Sequence, residues 1–314
     1  MYNILLSVIS LVAVTKSAGY AVRYAYKLAQ GLKISGYMIG FLLIAVICAL
    51  PETFISVTSA IDGVPSLGLG TLFGSNVADL TLIFGLVILF GGHNFKASGK
   101  IVKHDLLYIL ILSIPILLGL NGNYSRIDGI ILIIAGIYFF RSMLNREPTK
   151  DIIGHRQFSV KYFLFFLVSL AVLLLASDFT VQNAIAATRE LNINPIFTGM
   201  FFIALGTTLP ELFLSIRAVR ENHDGLAIGD ILGNVLTDAT IVVGIVALIS
   251  PFSFNPRIVY ITGLFMVIAA VFLFYLMKTE KPLNKKDALL LLIFYALFVF
   301  AEIGAGEYFH YAGD

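Results

Sequence analysis

The chain has 314 residues, 59% of them hydrophobic and only 13% charged, and its mean hydropathy is +0.93. That composition excludes an ordinary water-soluble domain. The single cysteine, Cys48, excludes an intrachain disulfide, and the net charge of +2 says little until the charges are placed along the chain.

Apolar runs of about 20 residues, enough to cross roughly 30 Å of hydrocarbon as a helix, recur along the sequence. They fall at 3–30, 34–60, 64–91, 104–121 and 125–143, and, after a polar segment, at 161–190, 194–220, 223–252, 256–277 and 287–308. The runs are continuous rather than alternating, which favours helices over a barrel, and a helix satisfies its own backbone in lipid. The expected fold class is all-α integral membrane, with ten transmembrane helices. Met1-Tyr2-Asn3 carries no basic region and no small-residue cleavage site follows, so the first run is expected to be kept as structure. The segment 144–160, with Asn145-Arg146-Glu147-Pro148-Thr149-Lys150-Asp151, reads as a linker between halves 1–143 and 161–314.

Ten spans put both termini on one side and sort the loops into two sets. One set takes 17 of the 21 Lys and Arg residues; the other has Arg126, Arg189 and Arg257, and Lys16 falls inside the first span. By the positive-inside rule the termini are outside and the linker is cytoplasmic, in a protein of the cell membrane.

A shift of 159 residues superposes the chain on itself. Leu50-Pro51-Glu52 pairs with Leu209-Pro210-Glu211, and without a gap Gly40 pairs with Gly199, Ala45 with Ala204, Ser56 with Ser215, Gly74 with Gly233, Asp79 with Asp238 and Thr81 with Thr240. Each half holds five spans, an odd number, so the second copy is expected to lie upside down. Such inverted repeats are the architecture of secondary transporters, with the substrate site near the midplane. Matching packing glycines would account for Gly74 and Gly233, but not for duplicated carboxylates.

Glu52, Asp79, Glu211 and Asp238 all fall near mid-membrane at 1.5 Å rise per residue. Carboxylates at that depth must be paired, protonated or bound to a cation. With hydroxyls and carbonyls they compose a hard-oxygen cage of the kind Ca²⁺ prefers. The five histidines, at 93, 104, 155, 223 and 310, have no zinc spacing. Proline before each glutamate breaks the helical ladder and is expected to free carbonyls around Ala45 and Ala204. Thr207, Thr208, Ser75 and Asn234 lie one turn before the acids.

At Gly206-Thr207-Thr208-Leu209-Pro210-Glu211 and Gly74-Ser75-Asn76-Val77-Ala78-Asp79 the sequence resembles the α-repeats of the calcium/cation antiporter superfamily, especially the prokaryotic sodium/calcium exchangers. The resemblance implies ten helices, a site between helices 2, 3, 7 and 8, and exchange of Na⁺ for Ca²⁺ as transported ions, with no resident cofactor and no catalytic residue. It assigns the divalent site to Glu52, Glu211 and Asp238, with Thr207, Thr208 and the Ala45 and Ala204 carbonyls at flanking sodium sites and Ser75 in the matching serine position. This chain departs where the family has Gly-Thr-Ser-Leu-Pro-Glu: it reads Ile47-Cys48-Ala49-Leu50-Pro51-Glu52. Asp79 takes a place often held by asparagine, and Asn234 one where serine is usual. These changes make proton coupling the alternative to sodium.

An intramembrane aspartyl protease would also need two midplane acids. Gly229-Asp230 offers a fragment of that look, but Ala227 occupies the earlier glycine position. A passive channel is disfavoured by broken helices in inverted halves. Functioning as a monomer, with the bilayer and no nucleic acid as partner, completes the expectation. Lys16 has two readings, snorkelling along the first helix or pairing with a site carboxylate.

Overall fold

The computed structural model describes residues 2–32, 36–61, 65–92, 95, 105–144, 159–190, 208–278 and 281–310. Ala204 and Thr207 lie outside them. The elements are α1 (Tyr2–Leu32), α2 (Gly36–Ile39), a π-helical turn (Gly40–Ile44), α3 (Ala45–Cys48), α4 (Leu50–Ile61), α5 (Pro65–Ala78), a second π turn (Asp79–Ile83), α6 (Phe84–Phe90), α7 (Asp105–Gly119), β1 (Asn123–Tyr124) and α8 (Arg126–Leu144). There follow α9 (Val160–Glu190), α10 (Leu209–Arg220), α11 (Asp224–Leu236), a third π turn (Thr237–Val242), α12 (Val243–Ile249), β2 (Phe252–Ser253), a fourth π turn (Val259–Gly263), α13 (Leu264–Lys278) and α14 (Lys285–His310).

The described residues are thus mainly helical, with a two-residue antiparallel pairing of β1 with β2 and an isolated antiparallel bridge between Phe95 and Leu283. Among the described residues three helices are long and apolar enough to cross a membrane by length and composition: Gly68–Phe90, Asp224–Ile249 and Val259–Lys278. The 159-residue shift carries over to element boundaries. It maps α4 onto α10, α6 onto α12 and α7 onto α13 end to end, and the first residue of α8 onto the first of α14. Proline explains the break before α4 and α10. Ala49 is a turn between α3 and α4, and Thr208 stands outside the helical region (φ −91°, ψ 1°) with Pro210 in the first turn behind it.

Packing divides the chain into two compact units that do not follow the sequence halves, because each draws on both. The first comprises 1–51, 91–93 and 143–234; the second comprises 52–90, 94–142 and 235–314.

In the first unit α1 packs along α9, and α2–α3 lie against α11 with backbone on backbone. A Cβ on Gly40 would strike the Leu226 carbonyl, one on Gly229 the Tyr37 carbonyl, and one on Gly233 would come within 2.7 Å of the Phe41 carbonyl. Small residues let membrane helices approach this closely, where dispersion and weak C–H contacts replace the missing hydrophobic drive. His223, in the short turn between α10 and α11, stacks on Tyr26 with ring centroids 3.9 Å apart. Burial lowers the imidazole's proton affinity, against the opposing pull of Glu221 and Asp224. A lowered value favours the neutral ring in the fold, so this contribution is present above the unfolded value of about 6.5 and lost as pH falls through the folded one. His223→Gln is expected to flatten the acid side of the stability–pH curve, as read by thermal unfolding in detergent between pH 7 and 5.

In the second unit glycines again set close crossings. Gly129 and Gly244 face one another, each with its would-be Cβ within 2.8 Å of the other's carbonyl oxygen. Tyr124, fully buried at the turn after α7, donates its hydroxyl to the Pro115 carbonyl at 2.6 Å and stacks on Phe254. Tyr124→Phe is expected to cost about 1 kcal/mol, the usual net value of such a bond, seen as a small drop in unfolding midpoint with transport retained. Arg257 donates to the Glu302 carbonyl at 2.7 Å and pairs with its carboxylate, which also accepts the Thr262 hydroxyl; this ties the fourth π turn and the residues just before it to α14.

Candidate cation site

Among the described residues buried charge has one sign. Among the described residues the buried charged side chains are Glu52, Asp79, Glu211, Asp230 and Asp238, each 0% exposed, and no Lys, Arg or His is buried with them. Taking a carboxylate out of water into apolar surroundings costs several kcal/mol unless a cation or proton accompanies it. The fold therefore creates a demand for positive charge that its own described basic residues do not meet from within the core.

Three of these acids belong to the second unit. Glu52 sits in the first turn of α4, Asp79 opens the second π turn, and Asp238 is the second residue of the third. Asp238 is close enough to Glu52 and Asp79 for their charges to act on it, Glu52 the more strongly. Neither carboxylate oxygen of Asp238 accepts a hydrogen bond among the described residues. Two orphaned acceptors beside two further carboxylates are an arrangement that a hard cation or a proton would stabilise. The π turns matter because the wider i to i+5 ladder presents an extra residue on one helical face, and such bulges concentrate at functional sites.

Asn76, on α5 one turn before the second π turn, is a further buried polar residue of the second unit. Its amide nitrogen donates to the Met266 sulfur at 3.5 Å while its buried Oδ1 has no hydrogen-bond partner among the described residues. Ser75 is buried and returns its hydroxyl to the Leu72 carbonyl at 3.0 Å, leaving the oxygen lone pairs for a cation. Thr81 and Thr240, equivalent in the repeat, each bond back to their own helix at 2.5 and 2.6 Å, to Val77 and Leu236.

The first unit holds the other acids. Glu211 lies in the first turn of α10, one turn after the break at Thr208, which is 1% exposed. Ser215, one turn further on, faces Asp230 of α11 with its hydroxyl 3.3 Å from the carboxylate and 3.5 Å from the Ala227 carbonyl. The corresponding contact in the other unit is Ser56 to the Gly68 carbonyl at 3.4 Å, shifted by the same 159 residues. Asn234 is fully buried one turn after Asp230. The Ala45 carbonyl, expected to be released by the following proline, accepts the Ala49 amide at 2.9 Å. It is engaged once and keeps its second lone pair.

Asp230 and Asn76 escaped selection by sequence. Both stand in the motifs, but neither recurs: the shift pairs Asp230 with Thr71 and Asn76 with Val235, so the repeat did not mark them. Their full burial is the distinguishing signal, and burial is a tertiary property. Among the described residues no group of three His, Cys, Asp or Glu side chains converges as a preformed metal cage. The proximity the structure shows is that of Asp238 to Glu52 and Asp79, within the second unit.

A helical, apolar protein whose described buried charges are all acidic has the make-up of a membrane cation transporter. Residues 2–141 and 161–304 match the sodium/calcium exchanger protein family, and the chain belongs to it: a family of transmembrane antiporters, not enzymes. The chain is 28% identical to inner membrane protein YrbG of Escherichia coli, over 80% of this chain and 81% of that one. It is 22% identical to the sodium/calcium exchanger MaX1 of Methanosarcina acetivorans, over 95% and 97%. A solved structure of the sodium-calcium exchanger NCX_Mj, soaked with zero Na⁺ and Ca²⁺, shares the fold with a TM-score of 0.83 at 21% identity, covering 95% of this chain and 98% of that chain. The protein is a multi-pass membrane protein and a cation exchanger.

Proposed function

We propose that this exchanger moves Ca²⁺ against Na⁺ by alternating access, with Glu52, Asp79, Glu211 and Asp238 as the divalent ligands. Ala45, Ser75, Ala204, Thr207, Thr208 and Asn234 serve flanking sodium positions. The observation that carries this reading is the single sign of the buried charge among the described residues, with both Asp238 oxygens orphaned beside Glu52 and Asp79. The duplicated positions support ten spans in two inverted five-helix halves, and the loop charges support external termini in the cell membrane. The ions are cargo, and the working unit is the monomer.

Proton coupling is the second reading, and one observation favours it. Cys48 and Ala49 are fully buried where the family carries hydroxyls, so those two side chains offer no hard oxygen to Na⁺. The test is radiocalcium uptake into proteoliposomes loaded with Na⁺ and diluted into Na⁺-free buffer, with a proton ionophore present. Uptake supports sodium coupling. Uptake that appears only under an imposed pH gradient transfers the assignment to protons.

A further inference from the structure

Lys16 is left over by the transport mechanism. It is the fifteenth of the 31 residues of α1, exposed on the outer face of that helix, and it makes no ion pair among the described residues. It lines a groove of about 360 Å³ between α1 and α9, with Ala13, Tyr20 and Tyr24 on one wall and Phe165, Val168 and Val172 on the other. Ser17 and Ser169, also at the groove, spend their hydroxyls on their own helices, at 2.7 Å to the Ala13 and Phe165 carbonyls. The groove is therefore apolar with one charge. Of the lining rings, Tyr24 stacks on Phe165 and on Tyr162, with the Lys27 ammonium over Tyr24 and Tyr162 and that of Lys161 over Phe165.

We propose that this groove binds a long-chain carboxylate, a free fatty acid, with its carboxylate on the Lys16 ammonium and its chain lying over Val168 and Val172. This rests on the proposed reading that α1 spans the bilayer: Lys16 then lies near its middle, where a lysine is costly in hydrocarbon unless an anion joins it. Depth selects the anion. Phospholipid phosphates stay at the interface, roughly 15 Å from the midplane of a core about 30 Å thick. A single-chain carboxylate has no second chain or bulky headgroup to hold it there and can follow the ammonium inward. The slot between two helices accommodates a thin alkyl chain, and its wall is apolar along the length such a chain would cover.

The test is photolabelling of the purified protein in lipid nanodiscs with a diazirine fatty acid, the labelled peptides being mapped by mass spectrometry. Label is expected on α1 and α9 peptides lining the groove. Lys16→Met is expected to lower it about tenfold or more, and Lys16→Arg to keep it. Val168→Trp, which fills the slot and leaves the charge in place, is expected to block it equally, so the result does not hang on one variant's folding. Equal labelling of Lys16→Met, or label absent from the groove peptides, overturns the proposal. So does efficient disulfide dimerisation of Ala13→Cys, which would make a second copy of the chain the occupant.

Discussion

Glu211→Gln is expected to lower Ca²⁺ uptake by roughly 100-fold at subsaturating Ca²⁺ while leaving the protein folded. On the proposed reading, removing one carboxylate from a buried set that a bound cation compensates costs the bound state about 3 kcal/mol or more, which is about two decades in affinity. Glu211 is 0% exposed in the first turn of α10, beside the break that Pro210 imposes, and glutamine preserves its volume and leaves the helix start intact. The amide carries no charge into the core, so folding stability should hold or rise even as binding fails. That separation, unchanged elution and unfolding midpoint with lost uptake, distinguishes a ligand from a structural carboxylate. Uptake at the wild-type rate would remove Glu211 from the site.

Gly229→Val should produce the opposite pattern, loss of the folded protein itself. A side chain there runs into the Tyr37 carbonyl and within 2.9 Å of the Phe41 amide, both backbone atoms that cannot turn aside. α2–α3 and α11 would have to separate, taking Gly40 and Gly233 out of contact along the same seam. Overpacking at one well-packed point costs about 1–3 kcal/mol, and a backbone-on-backbone seam has less room to relax than a side-chain core. The expected result is a sharply reduced monodisperse yield in fluorescence-detected size exclusion. A normally folded, active Gly229→Val would show that the seam is not needed.

Much of the helical plan was legible because a membrane span is set by length and polarity alone. The runs 104–121 and 125–143 became α7 and α8 within two residues, and the proline-induced breaks fell where Pro51 and Pro210 stand. The acids were legible because a carboxylate inside an apolar run has no bland explanation. Other features were hidden for physical reasons. A π turn has no local composition of its own, only one residue more than the α-ladder holds, so Asp79 and Asp238 could be placed on helices but not at the bulges. The role of glycine was legible in kind but not in partner: the Gly229 contact with Tyr37 lies 192 positions away in sequence. The two packing units were not legible at all, because the repeat describes how the chain is written and the units describe how it is packed. The two readings of Lys16 were separable only once its side chain was seen on an outer face.

The second and third π turns have a historical consequence. Each is a one-residue insertion in a helix, and they begin within one residue of the 159-residue offset, while α6 and α12 that follow them match end to end. Two independent insertions would rarely land at the same place and leave the downstream helices in step. The coincidence is what copying of a half that already carried the extra residue would leave, which would make the bulge beside the acid at least as old as the sequence repeat.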